Sequence, residues 1–117
     1  MWITLTPADL RTRFSAREMD AMQRANNAFD DSSAQAVLDQ TADTARGYIA
    51  GWSKNRLASA AHSIPPALKA TCLDMAVVDY SQSAAGMLID PKSLRQKAYD
   101  RAIKRLESVG DGKFAVE

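Results

Sequence analysis

Pro66-Ala67-Leu68-Lys69-Ala70-Thr71-Cys72-Leu73-Asp74-Met75-Ala76-Val77-Val78-Asp79-Tyr80 is the stretch on which the fold turns. Its apolar run has the length of a helix rather than of a single strand. Leu68, Cys72, Met75 and Ala76 share a face at helical spacing, and Leu73, Val77 and Tyr80 widen it. So broad a face must be contacted from more than one side, which predicts a central helix with others laid around it. Pro66 suits the first turn, where its missing N–H forfeits no helical bond. Lys69, Asp74 and Asp79 are the only charges. The two carboxylates are five residues apart and point in different directions, so at least one should meet a partner or an interface. Capping or pairing with an arginine is the ordinary way to keep such a group.

Upstream, a first long helix is predicted from Ala34 to about Ala50. Ala34, Val37, Leu38, Thr41, Ala45, Tyr48, Ile49 and Trp52 recur at intervals of three and four. Asp39, Asp43 and Arg46 fall away from that stripe. Carboxylates four apart invite an acid–base reading, but no His or Lys falls on that face to complement them, and Asp43 is expected to face Arg46 as a weak surface pair. Gly47 inside the helix predicts a close helix crossing or a mobile last turn, and Gly51 is a natural stop. Residues 53–65 are the longest irregular stretch. They carry Lys54, Arg56 and His62 and read as a surface loop, the alternative being a contact with phosphate or a neighbouring subunit. Ile64, ahead of two prolines, is expected to be extended and available to pack on the long helices.

Downstream, Ser81–Gly86 ends the central helix and Met87-Leu88-Ile89 is an apolar connector. Asp90-Pro91 offers a cap and an N1 proline for the last helix. Leu94, Ala98, Ala102 and Leu106 form a four-spaced row with Tyr99 and Ile103 beside it. Lys97, Arg101, Lys104 and Arg105 cluster opposite, a strip suited either to phosphate or to a solvated outer face. Gly110-Asp111-Gly112 stops the helix before the tail Lys113–Glu117.

At the N-terminus, Trp2-Ile3-Thr4-Leu5 reads as an extended arm or edge strand. Thr6-Pro7-Ala8-Asp9 starts a short helix with Leu10 and Phe14 as its apolar pair. Ser15-Ala16-Arg17-Glu18 is a capping box opening a second, with Met19 and Met22 inward. Asn26-Asn27 and Asp30-Asp31-Ser32-Ser33 are turn and cap residues; they lack the alternating ligands and glycine of a calcium loop. The expected fold is therefore all-α, a single domain over residues 1–117. It has three principal helices near 34–50, 66–82 and 92–108, two short N-terminal helices, and flexible tails at 1–5 and 111–117, at least one of which orders on a neighbour.

Composition bounds function chiefly by exclusion. The 117 residues are 46% apolar and 25% charged, with one cysteine and one histidine. That size supports a core without disulfides or metals. No intramolecular disulfide can form, no His/Cys zinc cluster exists, and Cys72 reads as a small buried hydrophobe. There is no basic-then-apolar leader and no run of membrane-spanning length, so a cytosolic protein is expected. The net charge of +1 is unevenly placed: residues 1–43 carry −3, 44–89 carry +2 and 90–117 carry +2. Strong general nucleic-acid binding is disfavoured, whereas the asymmetry would match one end of a subunit to the other end of its neighbour. No P-loop, dinucleotide fingerprint, serine elbow or zinc motif occurs. No catalytic, cofactor-binding or metal residue is assigned and no enzyme activity is expected.

The whole pattern resembles the Mu-like prophage small morphogenesis family. Thr6-Pro7-Ala8-Asp9-Leu10-Arg11 through Arg13-Phe14, followed by Glu18-Met19, is similar to its N-terminal signature. Ala42-Asp43 with Tyr48-Ile49-Ala50-Gly51, Pro66-x-Leu68-Lys69 with Asp74-Met75-Ala76, and Tyr99-x-x-Ala102-Ile103-x-x-Leu106 closed by Gly110 and Gly112 follow in the family's order. Trp52-Ser53 and Val77-Val78 depart from it, each standing where an Arg-Tyr pair is usual. The resemblance implies a head–tail adaptor of a phage or prophage neck. Such a protein would associate into a ring on assembly and contact portal and tail proteins. It would touch passing DNA weakly, and would have neither a membrane nor a small-molecule partner. It would be made in the bacterial host cytoplasm and end in the virion neck. A non-neck DNA-binding or regulatory accessory protein of the same mobile element is the alternative.

Overall fold

The computed structural model describes residues 2–25, 28–51, 60–83 and 93–112. Along the chain run β1 (Ile3–Thr4), α1 (Pro7–Arg11), α2 (Ala16–Arg24), α3 (Asp31–Ala50), β2 (Ser63–Ile64), a 3-10 turn (Pro66–Leu68), α4 (Lys69–Ser83) and α5 (Leu94–Gly110). The expected all-α bundle of three long helices and two short ones is present, each long helix within about three residues of its predicted bounds.

α4 is the centre. It contacts both α3 and α5, which also touch each other. Thr71, Cys72, Leu73, Met75, Ala76, Val77, Val78, Tyr80 and Ser81 are all buried, nearly the full circumference of the helix. Ser81 meets the cost of that position by donating to the Val77 carbonyl at 2.7 Å, so its hydroxyl stays satisfied inside its own helix. α3 supplies Ala34, Leu38, Thr41, Ala42, Ala45 and Ile49 to the core, and α5 supplies Ala102, Leu106 and Val109.

The helix starts follow local chemistry. Thr6 caps α1 and Ser15 caps α2, each in a reciprocal box with Asp9 or Glu18. Asp30 caps α3 by accepting from the N–H groups of Ser32 and Ser33. Ser93 caps α5 by accepting from the Gln96 N–H at 3.2 Å; the expected cap and proline at Asp90-Pro91 lie outside the described residues. So do Asn26-Asn27, Trp52, Lys54, Arg56, the connector Met87-Leu88-Ile89 and the tail from Lys113.

Two expectations change. The N-terminal stretch is tied down: β1 pairs antiparallel with β2, Ile3 opposite Ile64, and Leu5 and Ile64 are buried. Ile3 and Leu5 turn one face of the N-terminal segment to the bundle, while Ser63 and Ile64 of β2 are both buried; of the arm and the edge strand that the sequence leaves open for Trp2–Leu5, the strand is the one formed. Among the described residues nothing lies within 4 Å of a Cβ placed on Gly47, so the close helix crossing, one of the two expectations for it, is not found there. The close approach lies one turn on, where a Cβ at Gly110 of α5 would come 3.3 Å from the Tyr48 carbonyl oxygen of α3. Glycine at 110 lets the C-terminal end of α5 come against the last turn of α3.

Candidate interaction faces

The short helices are fastened to the bundle by a ring cluster and by arginines. Phe14 stands edge-on to Phe29 and to Tyr80, with centroids 6.1 and 5.8 Å apart, and Phe29 and Tyr80 are 4.9 Å apart. The Tyr80 hydroxyl accepts from the Asp30 N–H at 3.0 Å, joining α4 to the start of α3. Arg11 lies over Phe29 and Arg95 over Phe14, 5.1 and 5.2 Å from the ring centres. Arg95 also binds both carboxylate oxygens of Glu18 and donates to the Arg13 carbonyl. That pairing holds the Glu18 carboxyl below its ordinary range. Arg13 in turn binds Asp74 at 2.8 Å, so of capping and pairing with an arginine it is the pairing that holds this carboxylate of α4.

The carboxylates of α3 are arranged differently from the sequence expectation. His62, brought in by the chain ahead of β2, sits between them: Nδ1 is 2.9 Å from Asp43 and Nε2 is 3.9 Å from Asp39. Asp43 therefore faces a histidine, and Arg46 donates to the carbonyl and hydroxyl of Ser63 and stacks over Trp2. The histidine missing from the helix face arrives from a residue 19 positions away with a backbone φ of 59°, a left-handed turn that side-chain periodicity cannot signal. The arrangement offers little chemistry. The neighbouring Ser63 hydroxyl donates to the Ala60 carbonyl at 2.7 Å and accepts from Arg46, which occupies it. The two carboxylates lie on opposite ring nitrogens and do not converge. Among the described residues no cluster of His, Cys, Asp or Glu could hold a metal ion. Cys72 is wholly buried, and burial pushes its thiol up to about 12.

Two surfaces flank α5. On one side a groove of about 480 Å³ runs between α3, α4 and α5, lined by Val37, Thr41, Met75, Asp79, Tyr99 and Ile103 among others. Asp79 has no ion pair or side-chain hydrogen bond among the described residues, and burial raises its carboxyl above the ordinary value. Burial and the Asp79 charge both push the Tyr99 hydroxyl up. On the other side a pocket of about 320 Å³ is lined by Asp74, Val77, Leu94, Ala98, Arg95 and Arg101, with Arg13 at its edge.

Leu94 is 82% exposed, against the expectation that it would share a buried row with Ala98, Ala102 and Leu106. A strict four-residue row winds around a helix by about 40° per step. The end that is buried at Ala102 and Leu106 has therefore turned to solvent by Leu94, and the inward place in the first turn is taken by Arg95. The basic strip Lys97, Arg101, Lys104 and Arg105 is exposed as expected.

A family model described as bacteriophage Mu, Gp36 matches residues 5–117. No curated protein and no solved structure matches the chain.

Proposed function

Because the chain belongs to the bacteriophage Mu Gp36 family, we propose that this phage protein is a structural component of the neck, an adaptor joining the head portal to the tail. The observation that carries this reading is the family match over nearly the whole chain, which fits the head–tail adaptor that the resemblance implies. The geometry is in keeping with it. An adaptor works through surfaces, and the faces beside α5 are unlike: a groove holding a carboxylate with no ion pair among the described residues and a flank with an exposed leucine and arginine. The protein acts without catalysis, made in the host cytoplasm and carried into the virion, where copies associate around the portal and meet the tail.

Imaging of assembled particles tests this. Density for the protein between portal and tail is the expected result; a complete head–tail joint in particles made without it would overturn the proposal.

The exposed basic strip of α5 favours a second reading, a DNA-binding or regulatory accessory of the same element. Salt-dependent retention on DNA that is lost when Lys97 and Lys104 are both changed to Gln would support that reading. A net charge of +1 favours the first.

A further inference from the structure

The two surfaces beside α5 are complementary, and one copy carries both. The groove offers Asp79, a carboxylate with no ion pair among the described residues, among apolar Val37, Met75 and Ile103. The opposite flank offers Leu94, the one large apolar side chain among the described residues that is left exposed, and Arg101, an exposed cation with no ion pair among those residues.

The sides of α5 on which they lie are fixed by helix geometry. At about 100° per residue, Leu94 and Arg101 fall within about 20° of one another, whereas Ile103 is about 180° from Leu94. A chain cannot bring its own Leu94–Arg101 flank to its own Asp79 groove. A second copy can. We propose that copies of this chain associate head to tail, the Leu94–Arg101 flank of one seating in the Asp79 groove of the next.

The contact covers the exposed leucine with apolar groove wall and gives the half-buried carboxylate the cation it lacks. It is heterologous, so each copy keeps a free groove at one end and a free flank at the other. Repetition closes a ring or extends a filament, depending on the rotation per step. The inference rests on the neck reading only for the expectation that copies associate at all.

The test uses the full-length chain in two charge-reversed variants, Arg101→Asp, which keeps the groove, and Asp79→Arg, which keeps the flank. Isotope-labelled R101D is titrated with unlabelled D79R and followed by amide shifts. The expected result is saturable shifts around Val37, Thr41 and Met75. The mixture stops at a dimer by sedimentation, each variant alone stays monomeric, and the double variant associates with itself again. No shifts, or shifts confined to another surface, would overturn the proposal. If circular dichroism shows either reversal to be misfolded, Leu94→Ser and Asp79→Asn replace them in the same mixing experiment with the same two outcomes. Failure of the mixture with the protein present in the particle neck removes this interface alone; binding in the mixture with the protein absent from the neck removes the neck reading and leaves the interface.

Discussion

Asp79 and Glu18 are carboxylates placed in opposite circumstances, and their titrations should move stability in opposite directions. Burial without a partner raises the Asp79 carboxyl above its ordinary 3.8. The native state therefore holds that proton more tightly than the unfolded chain, and the associated stability is full below the unfolded value and lost as pH rises through the folded one. In dilute protein Asp79→Asn should raise the melting temperature at neutral pH, with the gain vanishing below about pH 3.8. Glu18 behaves conversely. The Arg95 pair lowers its carboxyl below 4.5, giving stability that is present above that value and lost as pH falls through the folded one. Glu18→Gln should lower the melting temperature at neutral pH and make little difference in strong acid; a calorimetric pH series on the two variants separates the effects. Cys72, wholly buried with its thiol pushed up to about 12, should resist maleimide in the native protein and react on denaturation.

At the scale of elements, the joint between the N-terminal helices and the bundle depends on a few groups. Tyr80→Phe keeps the ring against Phe14 and Phe29 but leaves the Asp30 N–H without its 3.0 Å acceptor. A cost of about 1–2 kcal/mol is expected in denaturant unfolding, with faster amide exchange at the start of α3. Leu5, buried beside the β1–β2 pair, should cost about 2–4 kcal/mol when changed to Ala. A free N-terminal arm would show almost no change, so this substitution distinguishes the two readings that the sequence left open, the edge strand and the arm.

For the whole molecule, the central helix is enclosed while α5 remains half outside, and the chemistry that could meet partners collects along α5. The surface there is mixed: Asp100 and Glu107 interrupt the basic strip, and the charge over residues 90–117 is only +2. Retention on DNA should therefore be weak at physiological salt and disappear steeply as salt rises. Tight binding that survives high salt would require a recognition mode other than phosphate attraction.

The sequence by itself determined the helices, the caps of α1, α2 and α3 and the central place of α4. These are local or periodic properties: a Thr-x-x-Asp box or a helix apolar nearly all round states its own structure. It also marked Asp74 and Asp79 as carboxylates of which at least one should meet a partner or an interface, with capping or an arginine as the ordinary solutions, because burial of a charge has few; the structure gives Asp74 an arginine. The sequence could not show which arginine, since Arg13 is 61 residues away. Only the tertiary structure set His62 between Asp39 and Asp43, turned Arg95 inward to Glu18 and Phe14, joined Ile3 to Ile64, and left Leu94 exposed on one side of α5 with Asp79, unpaired among the described residues, in the groove on the other. Each depends on where separate elements meet. Helical periodicity fixes which residues share a face, while the angle and register at which helices dock decide which part of that face is covered.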